Sequence, residues 1–177
     1  MSEEKKTAPI RDQASVERRV AGASSQILDI IGLKGQAQPS EPFPLACSGY
    51  ASEEGVIRMR HPWSFYGASD TDLRAAIGRL RKDLPTSGWK IVKDGTDGSQ
   101  VDSPQIIANS DDGQLSVDLV LSIEPAGGEY KSSIEVVVVS TCFRQERRPP
   151  PGDMHVSFGT FTISGAGPGR SGEGELS

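Results

Sequence analysis

The two histidines are the first residues to consider for metal or acid–base chemistry, and neither has neighbours that would make a site. His61 lies between Met59 and Trp63 on the apolar side of a predicted strand, where a partly buried, hydrogen-bonded imidazole is the expected role. His155 lies in a Gly-rich and Pro-rich region without nearby metal-ligating residue types. The sequence therefore predicts no metal ion and no cofactor.

Two acidic segments, residues 94–98 and 109–113, invite a calcium interpretation. Neither has the alternating ligand spacing or the distal glutamate of an EF-hand loop. Aspartate and glycine are also what hairpin turns require, so both segments are predicted to be turns. Residues 165–169 are rich in glycine, but no helix and no Lys-Ser/Thr pair follows them, as a phosphate-binding loop would need. With no nucleophile elbow either, we expect a protein that is not an enzyme.

Charge and hydropathy exclude further classes of partner. The net charge is −5 and the basic residues are scattered, which argues against a nucleic-acid surface. No run approaches the roughly 18 apolar residues of a transmembrane helix. The first nine residues are charged and have no apolar segment, so no signal peptide is visible. The protein is thus either cytosolic, or a targeting segment was removed or lies upstream of Met1.

Two amphipathic helices are predicted from apolar residues at steps of three and four. The first runs from about Ser15 to Ile31 and is closed by Gly32. The second begins at Ser69, which can cap it, and Pro85 stops it. Its apolar stripe consists of Leu73, Ile77, Leu80 and Leu84.

The remaining ordered segments alternate in hydropathy, which is typical of strands. Pro62, within the first of them, predicts a bend, a bulge or an edge position. The order α-β-α-β-β-β-β indicates an α+β fold, with an antiparallel sheet of about five strands and two helices packed on it. The predicted strands are Gly55–Tyr66, Trp89–Lys93, Pro104–Asn109, Leu115–Ile123 and Tyr130–Phe143.

The chain is predicted to hold one domain between two polar ends. Residues 1–13 lack periodicity and are expected to be disordered. Residues 14–145 are expected to form the single α+β domain. Residues 146–177 form a tail rich in proline and glycine, in which residues 155–164 could add one edge strand.

Strand parity places apolar residues on both faces of the sheet near its end. Ile134, Val136 and Val138 share one face, so the other face must be covered by something. The candidates are the N-terminal helix, residues 155–164 or a partner protein. The residues of this candidate partner face are Val120, Val137, Val139 and Phe143.

Cys47 and Cys142 lie 95 positions apart, which is neither a redox nor a zinc spacing. Cys47 precedes the first long strand and Cys142 ends the last one. The two thiols come together if those strands are neighbours. A disulfide and two unrelated reduced cysteines are both open at this point.

A wider pattern carries a resemblance that covers about residues 14–145. A helix precedes Cys47-Ser48-Gly49-Tyr50, Gly67-Ala68-Ser69-Asp70 leads into the second helix, Gly88-Trp89-Lys90 follows it, and Ser140-Thr141-Cys142 ends the last strand. The pattern resembles the extracytoplasmic domains of small, uncharacterised lipoproteins and secreted proteins of actinobacteria. The resemblance implies a Cys47–Cys142 disulfide and an envelope location, and it brings no known activity. The absence of a signal or lipobox from this sequence departs from the pattern.

Together these features predict a non-catalytic, envelope-associated or secreted module that binds a ligand or protein of unknown identity. A cytosolic accessory or immunity-type protein is the alternative, and a small enzyme comes third. The redox state of the cysteines separates the first two. A cleft lined by convergent polar groups would favour the third.

Overall fold

The computed structural model describes residues 7–146, which form two helices and one nine-stranded sheet. The helices are α1 (Gln13–Ile31) and α2 (Asp70–Asp83). The strands are β1 (Ile10–Arg11), β2 (Gln36–Ala37), β3 (Phe43–Ala46), β4 (Val56–Tyr66), β5 (Trp89–Thr96), β6 (Pro104–Ser110), β7 (Leu115–Ser122), β8 (Ser133–Ser140) and β9 (Phe143–Gln145).

The sheet confirms the α+β class but is larger than predicted and mixed. Its strands follow the order β1-β9-β4-β8-β7-β6-β5, and β2 and β3 both pair with β4. Every pair is antiparallel except β1 with β9, which is parallel. The prediction of about five antiparallel strands missed the short segments because two to four residues are too few to show alternation.

The N-terminal segment differs from its prediction over the described residues. Ile10 and Arg11 pair with Arg144 and Gln145, and Ala8 is buried. The pairing joins opposite ends of the chain, so no local sequence pattern reports it. The predicted edge strand at 155–164 and the rest of the predicted tail from residue 147 onward lie outside the described residues.

Both helices begin after a capping residue, and α1 ends at a glycine. The side chain of Asp12 accepts from the backbone N–H of Ser15 at 3.1 Å, which satisfies one donor in the first turn of α1. Ser69 does the same for Asp72 at 3.1 Å, as predicted. Gly32 ends α1 with φ +60°, a left-handed conformation that glycine adopts readily.

The two helices lie on the same face of the sheet and share one core. The guanidinium of Arg79 on α2 donates to the carbonyl of Ile31 at the end of α1, which ties the helices together. The N-terminal helix, one of the three candidates for covering the second face of the sheet, therefore does not cover it. An amphipathic stripe shows that a helix is buried on one side but does not say which face of a sheet receives it. The core includes Val20, Ile27, Leu73, Ile77, Leu80, Met59, Phe65, Leu119, Val136 and Phe143.

The acidic segments were predicted to be turns, and this is correct only in part: residues 94–96 continue β5 and residues 109–110 belong to β6, so each turn begins after its strand ends. The pKa of Asp97 is lowered, first by a side-chain hydrogen bond with Ser99 and then by the backbone N–H groups of Ser99 (2.9 Å) and Ser103 (3.2 Å), from which its carboxylate accepts. Asp112 accepts from the hydroxyl of Ser110 at 2.7 Å and from the N–H of Gln114 at 2.9 Å. These bonds, together with Arg19 at 2.5 Å, lower the pKa of Asp112 from 3.8 to about 2.

The depressed pKa of Asp112 predicts an acid-dependent contribution to stability. Because the folded-state pKa is below the unfolded value, the contribution is present above about pH 4 and is lost as the pH falls toward about 2. Asp112→Asn, an isostere of the protonated acid, should therefore be less stable than the wild type near neutral pH and equally stable at the acid end. Urea unfolding at a series of pH values measures this difference. Asp111→Asn is the control, and an equal pH dependence in both variants would contradict the prediction.

A side chain at Gly35, just before β2, is expected to clash with its neighbours. A Cβ added there would overlap Cζ of Phe65 and lie 2.7 Å from the backbone oxygen of Tyr66, and a backbone atom cannot move aside cheaply. Gly35→Ala should lower the free energy of unfolding by about 1–3 kcal/mol. Gly78→Ala, within α2 with nothing within 4 Å, should raise it by about 0.5–1 kcal/mol. Thermal or urea unfolding measures the change in the free energy of unfolding for each variant. A Gly35→Ala variant as stable as the wild type would contradict the prediction.

Candidate functional site

The face of the sheet opposite α1 and α2 is called here the open face. Neither α1 nor α2 packs on it, because both contribute their buried residues to the core on the other side. Val120, Val137 and Val139 alternate with buried residues along β7 and β8, so they project from this face, where they are half-buried. The structure thus places three of the four candidate partner residues together.

Phe143, the fourth, lies in the helix-side core and is fully buried. The reason is an extra residue between β8 and β9. Arg60 pairs with Val139 and Ile57 pairs with Phe143, so three steps along β4 face four steps along the other strand. Such a bulge reverses the alternation of every residue beyond it. The assignment of Phe143 to the partner face was therefore wrong.

Further apolar residues of the open face were missed from the sequence. Pro62 lies opposite Val137, and Ile107 lies opposite Asp118, which in turn faces Val137. Leu45 and Phe43 extend the face across β3, where Phe43 pairs with Arg60 and is 37% exposed. Two adjacent isoleucines in β6, one of which must face outward, were the available signal.

The charged residues around these apolar side chains are mostly basic, although the chain as a whole carries −5. The side chains of Arg58, Arg60 and Lys90 form no hydrogen bond or ion pair within residues 7–146. The fourth cation, Lys93, donates to Gln105 at 2.6 Å. The carboxylates on this face are Asp118, which accepts from Gln105 at 2.8 Å, and the exposed Glu135.

A cavity of about 440 Å³ lies on the helix side of β4, between α1 and residues 37–42. Residues 37–42 are called the connector here, and the cavity the connector cleft. His61 and Trp63 of β4 form its floor, and Ser24 and Leu28 belong to its α1 wall. No sequence pattern indicated the cleft, because its walls come from three separate parts of the chain.

His61 is buried and hydrogen-bonded, as predicted. Its Nε2 lies 3.0 Å from the carbonyl oxygen of Ser40, which can only accept, so Nε2 carries the proton. In the neutral imidazole Nδ1 then accepts from the hydroxyl of Ser24 at 2.8 Å. The arrangement therefore ties α1, β4 and the connector together.

Trp63 differs from the other tryptophan in its hydrogen bonding. The indole of Trp89 donates to Gln26 at 2.9 Å. The indole N–H of Trp63 has no partner within residues 7–146, although the side chain is only 7% exposed. An unpartnered buried donor is uncommon and destabilising, so this one calls for an explanation.

The Sγ atoms of Cys47 and Cys142 lie 2.08 Å apart, at disulfide distance. The pair belongs to a second, smaller apolar cluster with Ala8, Val56 and Tyr50. Cys47 is held beside β4 by a backbone hydrogen bond from its N–H to the carbonyl of Val56 at 3.0 Å. The geometry therefore brings together the two cysteines that the sequence left with two alternatives.

Within residues 7–146, no group of three or more His, Cys, Asp or Glu side chains is arranged to hold a metal ion. Neither α1 nor α2 is long and apolar enough to cross a membrane.

Comparison of the chain with protein-family models, with curated proteins and with solved structures gives no match.

The cysteine pair predicts a large dependence of stability on oxidation. Closing so long a loop contributes about 4–5 kcal/mol in the chain-entropy treatment. Cys47→Ala, Cys142→Ala and the double variant should lose similar amounts, because either change alone removes the crosslink. Urea unfolding without reductant measures the loss. Thiol titration of the denatured wild type should find no free thiol, and two reactive thiols would contradict the bond.

Proposed function

We propose that the protein is a non-catalytic interaction module, secreted or associated with the cell envelope, whose open face binds an acidic protein surface. The observation that carries the proposal is the open face itself. Its half-buried valines have no cover among the described residues, and apolar surface of this kind is typical of interaction sites.

The charge around the apolar centre favours an acidic partner. Among the outward-facing residues of β4 to β8, four cations stand against two carboxylates, and the side chains of Arg58, Arg60 and Lys90 have no hydrogen-bond or ion-pair partner within residues 7–146. A partner with carboxylates around an apolar patch would pair with these cations and bury the valines between them. Complementary charge of this kind chiefly sets specificity and the rate of association.

The cysteine pair supports the secreted or envelope location. Disulfides persist in oxidising compartments and are rare in the cytosol, where thiols are kept reduced. The sulfur atoms at disulfide distance therefore favour this location over the cytosolic alternative. The resemblance to extracytoplasmic domains of actinobacterial lipoproteins and secreted proteins points the same way.

A site-specific crosslink tests the open face in the full-length chain. A photoreactive phenylalanine analogue replaces Val137, and in a matched control it replaces Ala75, which is exposed on α2. After illumination in the native host, the first variant should crosslink to a partner protein that the control does not capture. Capture by both variants would contradict a partner specific to this face.

Binding of the purified partner then tests the charge argument. Reversal of two cations, Arg58→Glu with Arg60→Glu, should weaken binding about tenfold or more, and added salt should weaken the wild type as well. Arg74→Glu, on the exposed side of α2, is the control and should leave the affinity unchanged. A crosslink to residues 147–177 or to a second copy of the chain would overturn the proposal, as would an affinity insensitive to these charges.

A further inference from the structure

A cavity of about 260 Å³ lies at the N-terminal end of α1 and is called here the arginine cleft. Arg11 of β1, Arg19 of α1 and Gln114, which precedes β7, belong to its lining. The cleft is on the helix side of the sheet, because Val16 and Leu115 of the lining belong to the core there. It is smaller than the pockets that hold drug-sized ligands, so it suits a small molecule. The interaction proposed for the open face does not use it.

Two guanidinium groups meet at one neutral oxygen of this cleft. Nη1 of Arg11 donates to Oε1 of Gln114 at 2.7 Å, and Nη1 of Arg19 donates to the same atom. A neutral amide oxygen can accept both hydrogen bonds, but it offsets neither positive charge. Like charges held this close repel each other, so an anion beside them would be stabilised.

The nearby carboxylates leave one of the two cations without a charged partner. Asp112 forms an ion pair with Arg19 at 2.5 Å. The carboxylate of Asp12 accepts from the N–H of Ser15 at 3.1 Å and from its hydroxyl at 2.7 Å, so it is engaged at the first turn of α1. Arg11 forms no ion pair within residues 7–146, and its guanidinium makes a single hydrogen bond there. Arg11 is therefore the cation that a ligand would neutralise.

Backbone hydrogen bonds hold both sides of the cleft in place. Arg11 pairs with Gln145 in the sheet, and its carbonyl accepts from the N–H of Glu146 at 3.1 Å. On the other side, the N–H of Thr141 donates to the carbonyl of Gln114 at 2.9 Å. The cleft is thus formed before any ligand arrives, and no segment of the chain has to move to create it. A preformed site of this kind lowers the cost of binding.

We infer that the arginine cleft binds a small molecule that carries one carboxylate. The planar guanidinium of Arg11 matches the two oxygens of a carboxylate, and Arg19 adds a second positive charge nearby. The two aspartates beside the arginines repel added negative charge, so the cleft favours a monoanion over a dianion. A short hydrocarbon chain on the ligand contacts Val16 and Leu115 of the lining. This inference does not depend on the partner proposed for the open face.

Sodium propionate is the probe that tests the inference, with propionamide and sodium sulfate as comparisons at constant ionic strength. Titration of propionate into the ¹⁵N-labelled full chain should shift the backbone N–H signals of Gln114 and Leu115. The signal of Val137, on the open face, should stay in place. So small a ligand should bind with a Kd in about the millimolar range. Propionamide has the same shape without the charge and should not bind, and sulfate, a dianion, should bind more weakly than propionate.

Charge-neutral variants complete the test. Arg11→Gln should weaken propionate binding roughly tenfold, because a charge-assisted pair is lost. Arg19→Gln, at an exposed position, should also weaken it and keeps the test decisive if the first variant does not fold. Arg74→Gln, on the exposed side of α2, is the matched control and should bind as the wild type does. Unmoved signals, equal binding of propionamide or sulfate, or binding that neither cleft variant weakens would overturn the inference.

Discussion

Strand β4 is the constraint on which the rest of the structure depends. It pairs with β8 and β9 along one edge and with β2 and β3 along the other. Its alternation gives one row of side chains to the helix-side core and the other to the open face. Pro62, which cannot donate to a neighbouring strand, lies opposite the gap between β2 and β3. The proline thus occupies a position in a central strand where no backbone partner is lost.

The open face and the connector cleft both follow from this strand. Arg58, Arg60 and Pro62 face outward, among the valines of β8. His61 and Trp63 face inward, beneath α1 and the connector. Pro62 of the open face is the immediate neighbour along the chain of His61 and Trp63 on the floor of the cleft. Because side chains along a strand alternate, the two sites share a backbone and no side chains.

The sequence predicted the long elements well, since each of them repeats its pattern several times. Both helices, the capping role of Ser69 and the five long strands agree with their predictions to within a few residues. The failures have a different physical origin. β1 pairs in parallel with β9 across the whole chain, and the bulge before Phe143 inserts one residue that no hydropathy pattern reveals.

The candidate sites likewise contain features that the sequence predicted and features that depend on tertiary contacts. Parity located Val120, Val137 and Val139 on one face, because β7 and β8 are regular up to that point. The alternation of residues along the strands could not show that both helices would pack on the opposite face. That outcome depends on how α1 and α2 pack against each other. The connector cleft could not be predicted from the sequence for a similar reason. Its walls are assembled by tertiary contacts such as Ser24 with His61 and Ser40 with His61.

The Cys47–Cys142 link also has a mechanical consequence. Tension applied to the two ends of the chain would pass through the sulfur atoms and bypass the 95-position loop that they close. A loop of that length has a contour of roughly 300 Å when fully extended. With the link intact, that length stays hidden, and β4 through β8 bear no load between the two cysteines. Only the segments outside the loop, α1 among them, would lengthen when the molecule is pulled.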